Sequence, residues 1–272
     1  MSRDELPIGV FDSGIGGLTV LRQLHRQLPA EGTIYLGDTA RVPYGTKSAQ
    51  VVTRYALNNA RLLVQRGVKL LVVACNTASA VALEALEDAL DVPVVGVIEP
   101  GARRAAAVSG SGVVGVIGTE GTITSGSYQQ ALARVRPDLV VQARACPLFV
   151  PLAEEGWQGH PLAEQVAREY LQGWLRPDAD TLILGCTHYP VLADAIARVL
   201  GTGIRLVDSA SAVAAEVEKM LDNRQLRASS GATATREYWV TDVPERFRRV
   251  GRIFLDEEIA GVRLVDVAEQ PH

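Results

Sequence analysis

Short aliphatic runs alternate along this chain with longer segments whose apolar residues recur at helical spacing. In the first hundred residues the aliphatic runs lie at 7–11, 33–36, 70–74 and 94–98. The helical segments lie between them, at 18–28, 49–67 and 78–90. A run of four to six aliphatic residues is typical of a parallel strand that is covered on both faces, and such strands are usually connected by helices. The pattern therefore predicts a doubly wound α/β unit.

The same pattern restarts near residue 113. Residues 114–121 (VGVIGTEG) resemble residues 8–14 (IGVFDSG). The number of positions between these two segments is nearly the same as the number between the members of two further matched pairs. These pairs also end apolar runs, and they are Glu99 with Asp208 and Cys75 with Cys186. All three separations lie between 106 and 111 positions. We therefore predict two similar α/β units, related by a pseudo-twofold axis, with equivalent strand ends on opposite walls of one cleft.

The second half predicts a similar set of elements, followed by a tail without a third copy of the motif. These elements are a polar turn at 119–127, strands near 139–143 and 181–185, and helices near 162–175 and 210–221. A polar, loosely structured segment is expected at 223–235, and two more strands at 237–241 and 262–266. We expect the tail to complete the first unit. The predicted domains are thus 1–97 plus 208–272, and 98–207.

Composition narrows the possible functions. With 272 residues, 47% of them hydrophobic, the chain can form two cores of ordinary size. A net charge of −4 without runs of like charge gives no reason to expect a nucleic-acid partner. The charged N-terminus does not fit a signal peptide, and no apolar run approaches the ~18 residues of a membrane span, so a cytoplasmic protein is expected. Three cysteines do not form a disulfide framework.

Two of these cysteines, Cys75 and Cys186, fall where a predicted strand gives way to a loop. The carboxyl ends of the strands are where open α/β sheets bind ligands. Two thiols that face each other across one ligand suit proton transfer, because a thiolate can remove a proton from one face while a thiol protonates the other. The pair therefore predicts an enzyme that inverts a stereocentre next to a carboxylate. Cys146 has no such context and is expected to be an inert core residue.

Polar residues near the two cysteines can serve the same chemistry. Those expected to hold substrate or orient the thiols are Asn76, Thr77, Thr187 and His188, with Asp12 and Glu154 as acidic partners. A metal site built on Cys186 and His188 lacks two more ligands at a familiar spacing, so no metal is expected. A pyridoxal phosphate enzyme requires a Schiff-base lysine, and Lys47, Lys69 and Lys219 are poorly placed for that role.

Two loops after the first strands are further candidates for ligand contact. The turn containing Gly14, Gly16 and Gly17 precedes a helix, so it is either an anion-binding turn or a turn required for packing. Its spacing does not match the dinucleotide fingerprint. Tyr44, between Pro43 and Gly45, is poorly placed for a core residue, and its hydroxyl or the adjacent backbone is expected to meet a ligand.

Taken together, four motifs make the chain resemble the cofactor-independent glutamate racemases, a branch of the aspartate/glutamate racemase family. The motifs lie at residues 11–17 (FDSGIGG), 38–45 (DTARVPYG), 74–79 (ACNTAS) and 185–190 (GCTHYP). The resemblance implies two α/β domains with the active site between them and no cofactor. It also implies interconversion of L-glutamate and D-glutamate, supply of D-glutamate to peptidoglycan synthesis, and a homodimer.

By motif, the resemblance makes Cys75 and Cys186 the acid/base residues, assisted by Asp12, Glu154 and His188. The substrate-binding residues it implies are Asp12, Ser13, Pro43, Tyr44, Gly45, Asn76, Thr77, Thr119, Thr187 and His188. At the acidic position Glu155 is an alternative to Glu154. Aspartate racemase, with the same paired cysteines, and a non-catalytic amino-acid-binding protein are the alternative functions.

Overall fold

The fold is built from two parallel sheets, seen in a computed structural model that describes residues 3–229, 231 and 234–267. In chain order the strands are β1 (Ile8–Asp12), β2 (Thr33–Gly37), β3 (Leu70–Val73), β4 (Val94–Gly96), β5 (Val113–Gly118), β6 (Val140–Ala145), β7 (Thr181–Gly185), β8 (Arg205–Val207), β9 (Arg236–Val240) and β10 (Val262–Leu264). The first sheet has the order β10-β9-β2-β1-β3-β4, and the second has the order β6-β5-β7-β8. All neighbouring strands are parallel.

Helices connect these strands. They are α1 (Leu18–Gln27), α2 (Ala49–Gln65), α3 (Asn76–Ala89), α4 (Ile98–Val108), α5 (Glu120–Thr124), α6 (Ser127–Val135), α7 (Phe149–Glu154), α8 (Pro161–Leu171), α9 (Ala193–Leu200), α10 (Ala210–Asn223) and α11 (Pro244–Leu255). None of those in the described ranges combines the length and apolarity needed to cross a bilayer.

The strand order confirms the predicted α/β class. The sub-order β2-β1-β3-β4 in the first sheet is repeated as β6-β5-β7-β8 in the second, as expected for two copies of one unit. In the tail, β9 and β10 extend the first sheet beyond β2. The domain limits at residues 97/98 and 207/208 remain a prediction.

One of the matched pairs behind the predicted repeat is wrong. The strand predicted at 94–98 ends at Gly96, and Glu99 lies in the first turn of α4, whereas Asp208 directly follows β8. A proline does not prevent this helix start, because Pro100 lies in the first turn, where backbone N–H groups have no partner within the helix. Glu99 also favours the helix, since a carboxylate is stabilised near a helix N-terminus. It pairs with Arg134 of α6.

The polar turn predicted at 119–127 is also wrong, because most of it is helical. Thr119 caps α5 by accepting a hydrogen bond from the Thr122 N–H, and Gly126 adopts a left-handed conformation before α6 begins. Helices α7, α9 and α11 were not predicted either. The loose segment expected at 223–235 includes residues 230, 232 and 233, which lie outside the described residues, and α10 ends at Asn223.

The central strands explain why the carboxyl edges of the sheets can form a site. Every residue of β1, β3, β5 and β7 is buried, so helices cover both faces of each sheet and only the strand ends are open. One residue, Ala74, separates Cys75 from the end of β3, and Cys186 directly follows β7. These strands occupy the same position in their respective sheets, next to β1 and β5.

Candidate active site

The two thiols lie on the same cavity, one from each sheet. Cys75 is 5% exposed and Cys186 is 6% exposed, and both line this cavity. Cys75 is also the N-cap of α3, where its Sγ accepts a hydrogen bond from the Ala78 N–H at 3.5 Å. The first turn of α3 therefore presents its positive end next to one of the thiols.

The cavity brings together nearly all the residues that the sequence singled out. Those lining it are Ser13, Pro43, Tyr44, Gly45, Cys75, Asn76, Thr77, Thr119, Glu154, Cys186, Thr187 and His188, together with Gly14, Val42 and Val150. Asp12 is not among them, since it is completely buried at the end of β1. Its predicted contact with substrate remains a prediction.

On the second-sheet side, a chain of polar contacts leads away from Cys186. The Sγ of Cys186 lies 3.8 Å from Nδ1 of His188, and Nε2 of His188 lies 3.0 Å from Oε1 of Glu154. Nη2 of Arg246, in α11, donates to the other oxygen of Glu154 at 2.6 Å. Glu155 is exposed and takes no part. The structure thus places Glu154, rather than its neighbour, at the cavity.

These contacts decide the charge of His188. Burial alone lowers the pKa of a histidine, but the hydrogen bonds to Cys186 and Glu154 outweigh it and raise the pKa of His188 to about 10. Burial likewise favours the neutral form of Glu154, yet His188 and Arg246 hold its pKa below the ordinary value. At neutral pH a thiolate at Cys186 would therefore face an imidazolium.

The first-sheet side has a different environment. Burial, assisted by the charge of Asp12, raises the pKa of the Cys75 thiol to about 12. Burial also raises the pKa of Asp12, whose Oδ2 accepts from the Gly14 N–H at 2.9 Å. Cys75 is therefore a neutral thiol at neutral pH, and it carries the proton that an acid on this side would supply.

Hydroxyl and amide groups line the wall between the thiols. The hydroxyls of Thr77, Thr119 and Thr122 form a triangle with separations of 2.9, 3.0 and 3.3 Å, which joins α3 to the start of α5. The Asn76 side-chain oxygen accepts from the Tyr128 hydroxyl at 2.7 Å, leaving its amide nitrogen as a donor. The wall is thus rich in neutral donors suited to carboxylate groups.

Tyr44 differs from the prediction. Its ring is 1% exposed and lies in a hydrophobic cluster. Its hydroxyl donates to Asp38 and also contacts Asn59, at 3.0 Å from Nδ2. The Tyr44 hydroxyl therefore already has hydrogen-bond partners within the protein. A contact between this residue and a ligand would involve its other atoms.

The glycine turn is required by close packing. A Cβ on Gly16 would lie 2.4 Å from both His188 Nδ1 and Thr187 Oγ1, and one on Gly17 would lie 2.5 Å from the Cβ of Asp12. The turn therefore lets the start of α1 approach the loop after β7. Of the two alternatives, packing accounts for Gly16 and Gly17, while Gly14 and its neighbour Ser13 face the cavity.

The other groups considered from the sequence lie away from the cavity or pair elsewhere. Cys146 is completely buried in the apolar core. Lys69 is buried and forms an ion pair of 2.5 Å with Glu31. Among the described residues, no three His, Cys, Asp or Glu side chains form a group that could hold a metal ion.

Sequence reasoning missed three supporting residues: Thr122, Tyr128 and Arg246. Thr122 follows the capping position Thr119 by three residues, but it is not the Glu or Gln that completes a capping box, so no known pattern indicated it. Tyr128 and Arg246 gave no local signal, because their partners Asn76 and Glu154 are distant in the chain. Only the fold brings them together.

Alkylation should distinguish the three thiols. Near neutral pH, iodoacetamide is expected to modify Cys186 before Cys75 or Cys146. Thiolate is the nucleophile, the His188 imidazolium lies beside Cys186, and the pKa of each of the other two thiols is raised to about 12. Below that pKa, each unit of pH raises the thiolate fraction of Cys75 about tenfold. Mass spectrometry of digested protein measures the order. Faster labelling of Cys75 at neutral pH would contradict the assigned charges.

Comparison with known proteins identifies the family to which this chain belongs. The Asp/Glu/Hydantoin racemase family model matches residues 8–217. The glutamate racemase of Geobacter metallireducens is 56% identical over 260 residues, covering 96% of each chain. The crystal structure of the Thermus thermophilus glutamate racemase, bound to beta-chloro-D-alanine, has 48% identity and a TM-score of 0.89 and covers 98% of this chain and 99% of its own. The Francisella tularensis glutamate racemase, in complex with D-glutamate, has 37% identity and a TM-score of 0.91 and covers 98% of this chain and 100% of its own. By this match in sequence and fold, the chain belongs to the Asp/Glu/hydantoin racemase family and is an amino-acid racemase.

Proposed function

We propose that this racemase interconverts L-glutamate and D-glutamate by a two-base mechanism in which Cys75 and Cys186 exchange the roles of acid and base. The observation that carries the proposal is the placement of both thiols, from equivalent strands of two sheets, on one buried cavity. A binding protein has no need of two such thiols in matched positions. The relatives named glutamate racemase support the choice of substrate.

The surroundings of the two thiols suit one starting state. Cys186 is assigned as the first base, because its Sγ faces the His188 imidazolium that would stabilise a thiolate, and Cys75 begins as the thiol. The Cys186 thiolate takes the α-proton, and the electron pair of the broken C–H bond moves into the substrate carboxylate. The Cys75 thiol then gives its proton to the opposite face of the same carbon. The reverse reaction uses the same two transfers, with Cys75 as the base.

The cavity lining suits a substrate with two carboxylates and one ammonium group. None of the lining residues is lysine or arginine, so carboxylates would be bound by neutral donors such as the Thr77, Thr119 and Thr187 hydroxyls and the Asn76 amide. Backbone N–H groups at the start of α3 add further donors. Glu154 is the acidic residue of the lining, and the ammonium group is expected on its side of the cavity.

Circular dichroism of the amino acid tests the reaction and its specificity together. L-glutamate, D-glutamate and L-aspartate are incubated separately with protein to which neither pyridoxal phosphate nor metal has been added. Loss of optical activity from both glutamate enantiomers, with aspartate unchanged, is expected. Loss from aspartate at a comparable rate would instead make the protein an aspartate racemase. No change with any of the three would favour a binding role and contradict the proposal.

We further propose that the product serves peptidoglycan synthesis in the cytoplasm and that the protein acts as a homodimer. The support for these statements is the resemblance to bacterial glutamate racemases. A bacterial strain that requires external D-glutamate should grow without it when this chain is expressed. Growth that still depends on D-glutamate, with active protein present, would contradict the cellular role. Sedimentation analysis measures the oligomeric state, and a monomer at all concentrations would contradict the dimer.

A further inference from the structure

We propose that Arg246 is a positioning residue for the Cys186 half of the site, acting through Glu154 and His188. The proposal rests on the two-base function above, since it concerns one of the two proton transfers. Arg246 lies beyond residue 217, where the match to the family model ends. Its side chain does not line the cavity that contains the thiols.

The contacts form an unbroken line from Arg246 to the thiol. Nη2 of Arg246 is 2.6 Å from one oxygen of Glu154, the other oxygen is 3.0 Å from Nε2 of His188, and Nδ1 of His188 is 3.8 Å from Sγ of Cys186. A carboxylate held at both oxygens cannot rotate without breaking one of these bonds. Arg246 therefore fixes the orientation in which Glu154 meets the imidazole, and Glu154 in turn fixes the ring that faces the thiol.

The helix that carries Arg246 is well anchored. In α11, Phe247, Val250, Phe254 and Leu255 are buried. The ring of Phe254 packs edge-on against His188, with a centroid distance of 5.2 Å, and Phe247 packs against Tyr35 at 5.8 Å. The same helix thus contacts His188 directly through Phe254 and indirectly through Arg246. This rigidity lets a half-exposed arginine hold a carboxylate at a defined place.

Arg246 also stabilises the charge of Glu154. The side chain of Glu154 is 21% exposed, so water only partly compensates the charge, and Arg246 and His188 are the cations bonded to it. Asp12 is a further acidic neighbour that interacts with both His188 and Glu154. Without Arg246, Glu154 loses its charge-assisted hydrogen bond, and the pull of Glu154 on the His188 proton weakens.

This support reaches one thiol and not the other. The groups with the largest effects on the pKa of Cys75 are Asp12, the Ala78 N–H and Ser13, and none of them is a hydrogen-bonded link in the line from Arg246, while Cys186 itself has a smaller effect on Cys75. Loss of Arg246 should therefore slow proton transfer at Cys186 selectively. The ratio of kcat/KM in the two directions cannot reveal this, because the two enantiomers have equal free energy in water and the ratio must remain 1 in every variant.

Substrate isotope effects do reveal it. The substrates are α-deuterated L-glutamate and D-glutamate. Cys186 removes deuterium from one of these enantiomers, and Cys75 removes it from the other. If transfer at Cys186 slows, the isotope effect on kcat/KM rises for the enantiomer from which Cys186 removes deuterium, because that step limits the rate more fully. It falls for the other enantiomer, because reprotonation by Cys186 then limits the rate. A general loss of structure is not expected to change the isotope effects for the two enantiomers in opposite directions.

The experiment compares Arg246→Gln with four other variants: Arg246→Lys, Arg248→Gln, Glu154→Gln and the Arg246→Gln/Glu154→Gln double variant. Arg246→Gln is expected to lower kcat/KM about tenfold, as for loss of one charge-assisted hydrogen bond, and Arg246→Lys should recover most of it. Arg248→Gln is the matched control, since Arg248 lies on the same helix and pairs with the exposed Glu245 at 2.9 Å. It should leave activity unchanged. Adding Arg246→Gln to Glu154→Gln should cause little further loss, because both act through the same carboxylate.

Opposite changes in the two isotope effects, together with this lack of additivity, would support the proposal. Unchanged kinetics in Arg246→Gln would overturn it. Isotope effects that change in the same direction for both enantiomers, with additive losses of kcat/KM from Arg246→Gln and Glu154→Gln, would also overturn it. If Arg246→Gln fails to fold, the isotope effects of Glu154→Gln and Arg246→Lys decide by the same criterion. Failure of the parent protein to racemise glutamate would instead overturn the proposed function, so the two failures are distinguishable.

Discussion

Cys75→Ala and Cys186→Ala are each expected to reduce the racemisation of glutamate by at least about 10⁴-fold, because each removes a proton donor or acceptor from one face of the substrate. Neither change should unfold the protein, since each deletes a single sulfur atom from the wall of a cavity. The rate is measured by circular dichroism of L-glutamate and D-glutamate, and folding is measured by thermal unfolding.

Cys146→Ala is the matched control for these variants. Cys146 is buried like the other two cysteines, but it lies in the apolar core and away from the cavity, so activity should be nearly unchanged. Full activity in either Cys75→Ala or Cys186→Ala would exclude a mechanism in which both thiols transfer protons. Comparable losses in all three variants would point to a general effect of removing buried sulfur.

Gly16→Ala is expected to lower kcat/KM about 100-fold, the order of loss that a 1 Å misplacement of a catalytic group can cause. The added Cβ would meet His188 Nδ1 and Thr187 Oγ1 at 2.4 Å, a distance that real Cβ contacts essentially never reach. His188 cannot easily move aside, because the Phe254 ring and Glu154 contact it from other directions. The ring must therefore shift relative to Cys186.

The Gly16→Ala protein should remain folded although its kcat/KM falls. Overpacking at a buried site costs roughly 1 to 3 kcal/mol, which a folded domain usually survives. Gly203→Ala is the control, since nothing lies within 4 Å of a Cβ at that position. Steady-state kinetics and chemical denaturation of the two variants provide the comparison. Normal activity in a folded Gly16→Ala protein would show that His188 does not need its observed position.

The two cysteine motifs of the cavity were recognisable in the sequence for a physical reason, whereas the complete set of four motifs was recognised by resemblance. A parallel strand buried on both faces must be a continuous aliphatic run, and the residues directly after the run lie at the carboxyl edge of the sheet. Cys75 and Cys186 end two such runs at equivalent points of a repeated pattern, so their meeting could be inferred. The structure places both at one cavity.

Local interpretations were less secure where tertiary packing opposed them. Tyr44 looked poorly placed for a core residue because proline and glycine flank it, yet its ring lies in an apolar cluster and its hydroxyl donates to Asp38. Glu99 looked like the end of a strand, but the first turn of a helix accepts both an acidic residue and the proline after it. In each case the residue's neighbours in space decided the outcome.

The sequence by itself determined the fold class, the paired thiols and most of the cavity lining, because periodicity and strand ends are local properties of the chain. Only the tertiary structure decided that Glu154 rather than Glu155 reaches His188, since adjacent residues on a short helix point in different directions. It alone brought Arg246, 92 positions from Glu154, to that carboxylate. The charges of Cys75 and His188 likewise depend on burial and on neighbours distant in sequence, which no local pattern encodes.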